Sequence, residues 1–178
     1  MSSEVEMTSR KAVERDCDIP NDCKRVVPKW MVAADNLPTV AMFAVGSIIL
    51  FLLWWPLALI YALYCALSIV MFWAFICPYC SHFGTGACPC GYGSVAPRYF
   101  KKKQGEFPKV FKKNIVIMFP CWIVPVLGGI YILYSAFSIL VAILFLAFCI
   151  DAFAVIPGIS RFIGCRDCEN KEGCPWAK

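Results

Sequence analysis

Two long apolar blocks dominate the pattern of hydrophobic and polar positions along this chain. The blocks run from about Leu37 to Ile76 and from Ile115 to Pro157. A helix needs about 20 apolar residues to cross the roughly 30 Å of hydrocarbon in a bilayer. Each block holds about 40 residues, which is twice that requirement. We therefore predict that each block crosses a membrane twice, as a hairpin of two helices.

Proline and tryptophan indicate where the first block turns. Trp54-Trp55-Pro56 interrupts the apolar run, because proline removes a helical hydrogen bond and tryptophan favours the headgroup level of the bilayer. The predicted spans are Pro38–Trp54 and Leu57–Ile76. Either Asp35 or Asn36 is the expected signal for the start of the first helix.

The second block offers two places for a turn. A turn at Tyr134-Ser135 predicts spans over Ile115–Tyr134 and Ala136–Ile156. A turn at Gly128 and Gly129 would leave the preceding span too short to cross the bilayer comfortably. We therefore interpret the two glycines as a point of close packing between helices.

The distribution of charge predicts the orientation of these spans. The chain has a net charge of +5, and all 17 of its lysines and arginines lie outside the two apolar blocks. Because positive residues concentrate on the cytoplasmic side of membrane proteins, both termini and the central loop are expected there. No recognition motif accompanies the lysines, so nucleic acid is not an expected partner. The expected partners are the bilayer itself, including anionic lipid headgroups, and other membrane proteins.

These patterns predict an all-α, polytopic membrane protein with four transmembrane helices in two hairpins and a cytosolic, cysteine-rich, metal-binding layer. Apolar residues make up 60% of the chain and charged residues 16%, whereas a typical soluble domain has about 45–50% and about 25%. The predicted segments are a cytosolic N-terminal segment with a cysteine pair (1–36), a first transmembrane hairpin (37–76), a cytosolic basic loop rich in cysteine (77–114), a second transmembrane hairpin (115–157) and a cytosolic cysteine-rich tail (158–178).

The central loop carries the densest group of candidate metal ligands. Its spacing is Cys77-x2-Cys80-x7-Cys88-x-Cys90, with His82 between the two pairs. The cytoplasm keeps thiols reduced, so these cysteines are expected to bind metal rather than to form disulfides. Four thiolates on a short turning backbone can surround one ion tetrahedrally. We predict a four-cysteine site, with His82 as a weaker candidate ligand.

A second group of cysteines flanks the apolar blocks at the two ends of the chain. The tail contributes Cys165, Cys168 and Cys174, which supply three ligands. Cys17 or Cys23 of the N-terminal segment is the nearest candidate for a fourth ligand. Nine of the twelve cysteines thus lie outside the apolar blocks, in segments that the predicted topology brings to one face of the membrane.

Short stretches of these segments resemble known metal-binding motifs. CPYC and CPCG of the loop are similar to the metal knuckles of rubredoxins and zinc ribbons. The tail spacing is similar to part of the cysteine pattern that binds auxiliary iron–sulfur clusters in certain radical enzymes. These resemblances imply metal–thiolate sites that hold either zinc or an iron–sulfur cluster. Zinc is slightly favoured for the loop, and the tail is open between the two.

Three further candidates lie within the apolar blocks. Cys121 and Cys149 fall at matching depth in adjacent antiparallel helices if the second block turns at Ser135, so they could face each other. Asp151 is the only acidic residue well inside an apolar block. An intramembrane carboxylate is a functional candidate by default, but a position close to the inner interface would give it access to water or to a lysine.

No catalytic constellation accompanies these features, so the sequence gives no positive indication of an enzyme. There is one histidine, and no serine–histidine–acid set or phosphate-binding loop. Three functions are open. The first is a structural or docking subunit of a larger membrane complex, stabilised by cytosolic metal–thiolate sites. The second is an electron-transfer protein that carries iron–sulfur clusters, and the third is a metal or thiol relay across the membrane.

Overall fold

The computed structural model describes residues 27–164, and within that range the regular structure is helical throughout. The predicted ligands of the two ends, Cys17, Cys23, Cys165, Cys168 and Cys174, lie outside the described residues. The α-helices are α1 (Lys29–Leu53), α2 (Trp55–Phe75), α3 (Tyr92–Val95), α4 (Phe107–Asn114), α5 (Phe119–Ser135), α6 (Ile139–Ile150) and α7 (Ile156–Ile159).

Within residues 27–164, four helical segments are long and apolar enough to cross a membrane. They are Lys29–Leu53, Trp55–Tyr79, Phe107–Ser135 and Ile139–Phe162. The third joins α4 to α5 through the 3₁₀ turn Ile115–Met118. The prediction of an all-helical protein with four potential membrane spans is therefore confirmed.

The first hairpin turns at the tryptophan pair. Trp54 leaves the helical region with φ −166° and ψ 117°, and α2 begins at the next residue with Pro56 in its first turn. Proline is tolerated there because the first N–H groups of a helix have no partner within the helix. The predicted position of this turn is confirmed.

The predicted start of the first helix is wrong. Helix α1 begins at Lys29, after Pro28, so that Asp35, Asn36 and Pro38 all lie inside it. The helix extends beyond the apolar block because its polar side chains find partners. The amide of Asn36 donates to the carbonyl oxygens of Val32, at 2.8 Å, and of Cys90 in the loop, at 3.0 Å.

The second hairpin turns after Ser135, and residues 136–138 separate α5 from α6. Gly128 and Gly129 lie inside α5 and are buried. A Cβ atom on Gly128 would stand 2.7 Å from Cδ2 of Leu50, and one on Gly129 would stand 2.5 Å from Cδ2 of Phe145. The glycines therefore let α5 approach both α1 and α6, as the sequence predicted.

Contacts along α5 fix the directions of the helices. Tyr61 contacts Cys121 and Tyr64 contacts Ile117, so α2 runs antiparallel to α5. A Cβ atom added to Gly46 on α1 would contact Pro125 on α5, and one added to Gly128 on α5 would contact Leu50 on α1. Helix α1 therefore runs parallel to α5, and both hairpin turns lie at one end of the bundle. We call that end the turn end and the opposite end, which carries residues 77–106, the loop end.

Candidate functional site

A cavity of about 250 Å³ lies at the loop end of the bundle. Its walls come from α1, α2, α5 and the short helices of the loop. Its thiol, carboxylate and imidazole groups belong to Cys77, Cys80, Cys88, Cys90, Asp35 and His82. The four cysteines that the sequence singled out in the loop therefore share one cavity wall.

The first cysteine pair is placed by the 3₁₀ turn Cys77–Tyr79, which continues from the end of α2. The backbone N–H of Cys80 donates to the carbonyl oxygen of Cys77 at 3.0 Å, which closes the turn. Cys77 is buried, and it lies close enough to Cys80 and Cys88 to interact with them electrostatically. The turn thus brings both members of the first pair toward the second.

The second pair forms a hydrogen-bonded couple of thiols. The thiol of Cys90 donates to the sulfur of Cys88, and backbone N–H groups of Gly93, Cys90 and Gly91 point at the same sulfur. These donors favour the thiolate and lower the pKa of Cys88 to about 6. The pKa of Cys90 is raised, because its thiol donates to Cys88 and because the side chain is buried. Of the two cysteines, Cys88 is thus the one whose surroundings favour the thiolate, which is the form that binds metals.

Two glycines make this arrangement possible. Gly91 has φ +74°, a left-handed conformation that side chains other than glycine rarely adopt. A Cβ on Gly93 would stand 2.4 Å from the carbonyl oxygen of His82 and 2.7 Å from the Cβ of Cys88. The backbone after Cys90 therefore turns back onto Cys88 only because both positions lack side chains.

The beginning of α1 is joined to the loop at three points. The carboxylate of Asp35 lies within hydrogen-bonding reach of the Cys90 thiol and competes with the sulfur of Cys88 for its single proton, and Asn36 donates to the carbonyl of the same cysteine. The N–H of Val27 donates to the carbonyl oxygen of Gly86 at 2.9 Å. Sequence reasoning treated Asp35 only as a helix-start signal, since nothing in the spacing indicates which helix the cysteine loop will contact.

His82 lies on the cavity wall and is half-buried. As the side chains stand, no group of three or more histidine, cysteine, aspartate or glutamate residues within residues 27–164 is arranged to hold a metal ion. The cysteines are thus gathered around a common space without forming a closed coordination shell. Metal binding in the loop stays a prediction.

The second candidate region is a pair of sulfurs inside the bundle. The sulfur of Cys121 lies 3.8 Å from that of Cys65 on α2 and 3.6 Å from the hydroxyl oxygen of Ser68. The sequence paired Cys121 with Cys149 instead, on the basis of equal depth. Cys149 lies half-buried on α6, against the edge of the core.

Asp151 begins a π-helical turn, Asp151–Val155, that interrupts the fourth apolar helix. It is half-buried. Single π turns in helices occur frequently at functional sites, because the extra residue rotates the following side chains. The functional role that the sequence suggested for Asp151 stays a prediction.

No family model matches this chain, and no curated protein or solved structure matches it either. The function is therefore inferred from the chain's own residues. Within residues 27–164, thiols approach one another at two places, the cysteine cavity at the loop end and the buried Cys65–Cys121 pair.

Proposed function

We propose that this integral membrane protein binds zinc through Cys77, Cys80, Cys88 and Cys90, and that the stabilised loop end docks onto a partner membrane protein. The observation that carries the proposal is the single cavity that all four cysteines line. Two of them follow α2 directly and two precede α3, so one bound ion would link the end of α2 to the segment just before α3.

The chemistry of the donors favours a metal of borderline softness. Zinc binds thiolates at about 2.3 Å and favours four ligands in structural sites. Cys88 already has thiolate character, and the backbone N–H groups aimed at it act as the outer support that metal–thiolate sites use.

The lysines at the loop end support a cytoplasmic orientation. Lys101, Lys102 and Lys103 are exposed, as are three lysines of α4. Positive residues next to membrane spans favour the cytoplasmic side, where thiols stay reduced and available to metal. The tight turns at the opposite end carry no lysine or arginine. Charge and redox chemistry therefore favour the same orientation.

Metal analysis of the protein tests the zinc site. The full chain is purified under argon, its zinc, iron and sulfide are measured, and its visible spectrum is recorded. We expect a colourless protein that loses about one zinc per chain in the Cys88→Ser variant and none in the matched Cys149→Ser variant. A brown protein with iron and acid-labile sulfide would replace the zinc site with an iron–sulfur cluster and favour electron transfer instead.

The docking role requires a second measurement. Membranes solubilised in a mild detergent are separated by size, and the protein is detected in each fraction. We expect the wild-type protein in a species larger than its own detergent complex, and the metal-deficient Cys88→Ser variant in a smaller one. If both migrate as the isolated chain, the docking role is wrong even where the zinc site stands.

A further inference from the structure

We propose that Cys65 and Cys121 form a second metal site, inside the bundle, that binds a soft monovalent cation of the Cu(I) type. This site is independent of the loop cysteines. It joins the two hairpins, because Cys65 belongs to α2 and Cys121 to α5. Both side chains are fully enclosed, with exposed fractions of 2% and 0%.

The distance between the two sulfurs suits a shared ion. Two sulfurs that bind one ion at about 2.3 Å stand about 3.8 Å apart at a tetrahedral angle and about 4.6 Å apart when the ion lies on the line between them. The sulfurs of Cys65 and Cys121 are separated by 3.8 Å. The Cys65 thiol donates a hydrogen bond to Cys121 across this distance, and the sulfur of Cys121 also lies 3.6 Å from the hydroxyl oxygen of Ser68. A bound ion would therefore take the place of a proton that the two sulfurs now share.

Two methionines extend this set of sulfur atoms toward the loop end. Met42 lines the loop-end cavity and also belongs to the buried core cluster that contains Cys65 and Cys121. Met118 lines the same cavity and precedes Cys121 by about one helical turn. Thioether and thiolate sulfurs together favour Cu(I) over harder metal ions. Met42 and Met118 therefore place thioether sulfurs in the wall of the cavity on the loop-end side of the buried pair.

The requirements of zinc are not met at this position. Zinc favours four ligands of the cysteine, histidine or carboxylate type, whereas the buried pair supplies two, and no third such residue within the described range is grouped with them. A soft monovalent ion is satisfied by fewer ligands when they are sulfur. The buried pair therefore favours Cu(I).

Charge balance also favours a monovalent ion. Cu(I) would replace the proton of one thiol, forming one copper–sulfur bond and releasing one H⁺, while the second thiol donates a lone pair without losing its proton. The product carries no net charge, which a site enclosed by apolar helices requires. The copper stays in the reduced state throughout, so the step needs no oxidant.

A titration of the full chain tests the site. The protein is purified under argon with reduced thiols, and Cu(I) is shared between the protein and a chromophoric Cu(I) chelator. We expect Cys65→Ser and Cys121→Ser each to bind about one equivalent fewer than the wild type. The matched variant Cys149→Ser removes the other intramembrane cysteine and should keep the wild-type stoichiometry. Equal stoichiometry in all four proteins would overturn the proposal.

A measurement on the wild-type chain covers the case in which the serine variants do not fold. A small lipid-soluble maleimide is reacted with the protein before and after Cu(I) loading, and each cysteine is followed by mass spectrometry. We expect Cu(I) to slow the alkylation of Cys65 and Cys121 at least tenfold and to leave Cys149 unchanged. Unchanged rates at Cys65 and Cys121, or equal protection by zinc, would overturn the assignment to Cu(I).

Discussion

The hydroxyl of Tyr61 donates a hydrogen bond of 2.8 Å to the carbonyl oxygen of Cys121. That carbonyl would normally accept the N–H four residues later, but residue 125 is a proline and has none. Tyr61 is buried, with 3% of its surface exposed. A side chain of α2 thus completes the backbone hydrogen bonding of α5, at a depth where no water is available to do so.

This relationship predicts a large effect of a small change. Tyr61→Phe removes only the hydroxyl and leaves the Cys121 carbonyl unpaired, so we expect the free energy of unfolding to fall by about 1–3 kcal/mol. The change is measured by reversible unfolding in mixed micelles. Tyr134→Phe, at an exposed position in the second hairpin, is the matched control and should change stability little.

The same pair permits a double-mutant test. Pro125→Ala restores the N–H that can reach the Cys121 carbonyl, so the cost of Tyr61→Phe should shrink in that background. Stability is measured for the wild type, both single variants and the double variant. If Tyr61→Phe lowers the free energy of unfolding equally with Pro125 and with the Pro125→Ala replacement, the Tyr61 hydroxyl does not compensate for the N–H group that proline lacks.

Close packing at Gly129 predicts a position-specific loss of stability. A methyl group there would stand 2.5 Å from the ring of Phe145, whereas nothing lies within 4 Å of the corresponding position at Gly158. We therefore expect Gly129→Ala to destabilise the bundle by about 1–3 kcal/mol, since a ring cannot move aside freely. Gly158→Ala should leave the midpoint of thermal unfolding unchanged. If Gly129→Ala destabilises the protein no more than Gly158→Ala does, the close contact between α5 and α6 at Gly129 does not limit stability.

The proposed orientation predicts opposite labelling of two introduced cysteines. Phe137 lies exposed in the second hairpin turn and Lys102 lies exposed in the loop. A membrane-impermeant maleimide applied to intact cells should label Phe137→Cys and should reach Lys102→Cys only after permeabilisation. Labelling is scored above that of the parent protein. The reverse pattern would place the cysteine loop outside the cell.

The lysines at the loop end predict a dependence on lipid charge. Lys101, Lys102 and Lys103 are exposed, so anionic headgroups should raise the thermal stability of the protein relative to zwitterionic lipid. Replacing all three lysines by glutamine should remove that difference. Lys109 already pairs with Glu106 at 3.0 Å. Lys109→Gln should therefore reduce the stability difference between the two lipids by less than the triple replacement does. A difference that survives the triple replacement would locate the lipid effect elsewhere.

Hydropathy and turn residues predicted the number of helices and the places where the hairpins turn. Proline and tryptophan at residues 54–56, and the length of the second apolar block, were sufficient because a bilayer restricts helix length. The helix start at Asp35 or Asn36 was wrong because the loop supplies partners to both side chains. A single sequence does not display that long-range contact.

The pairing of Cys121 shows the same limit inside the bundle. Equal depth suggested Cys149, yet the sulfur 3.8 Å from Cys121 belongs to Cys65. Hydropathy gives the depth of a residue, but its neighbours depend on how each helix rotates about its own axis. Here that rotation depends on the close packing at Gly46 and Gly128, which would require knowledge of the facing side chains.

The two halves of the bundle differ in how closely they are packed, and this difference has a mechanical consequence. Glycines bring the helices into contact toward the turn end, whereas a cavity of about 250 Å³ separates them at the loop end. Densely packed regions resist deformation, and regions with fewer contacts open at lower free energy. Separation of the helices is therefore expected to begin at the loop end and to leave the contacts at Gly128 and Gly129 in place.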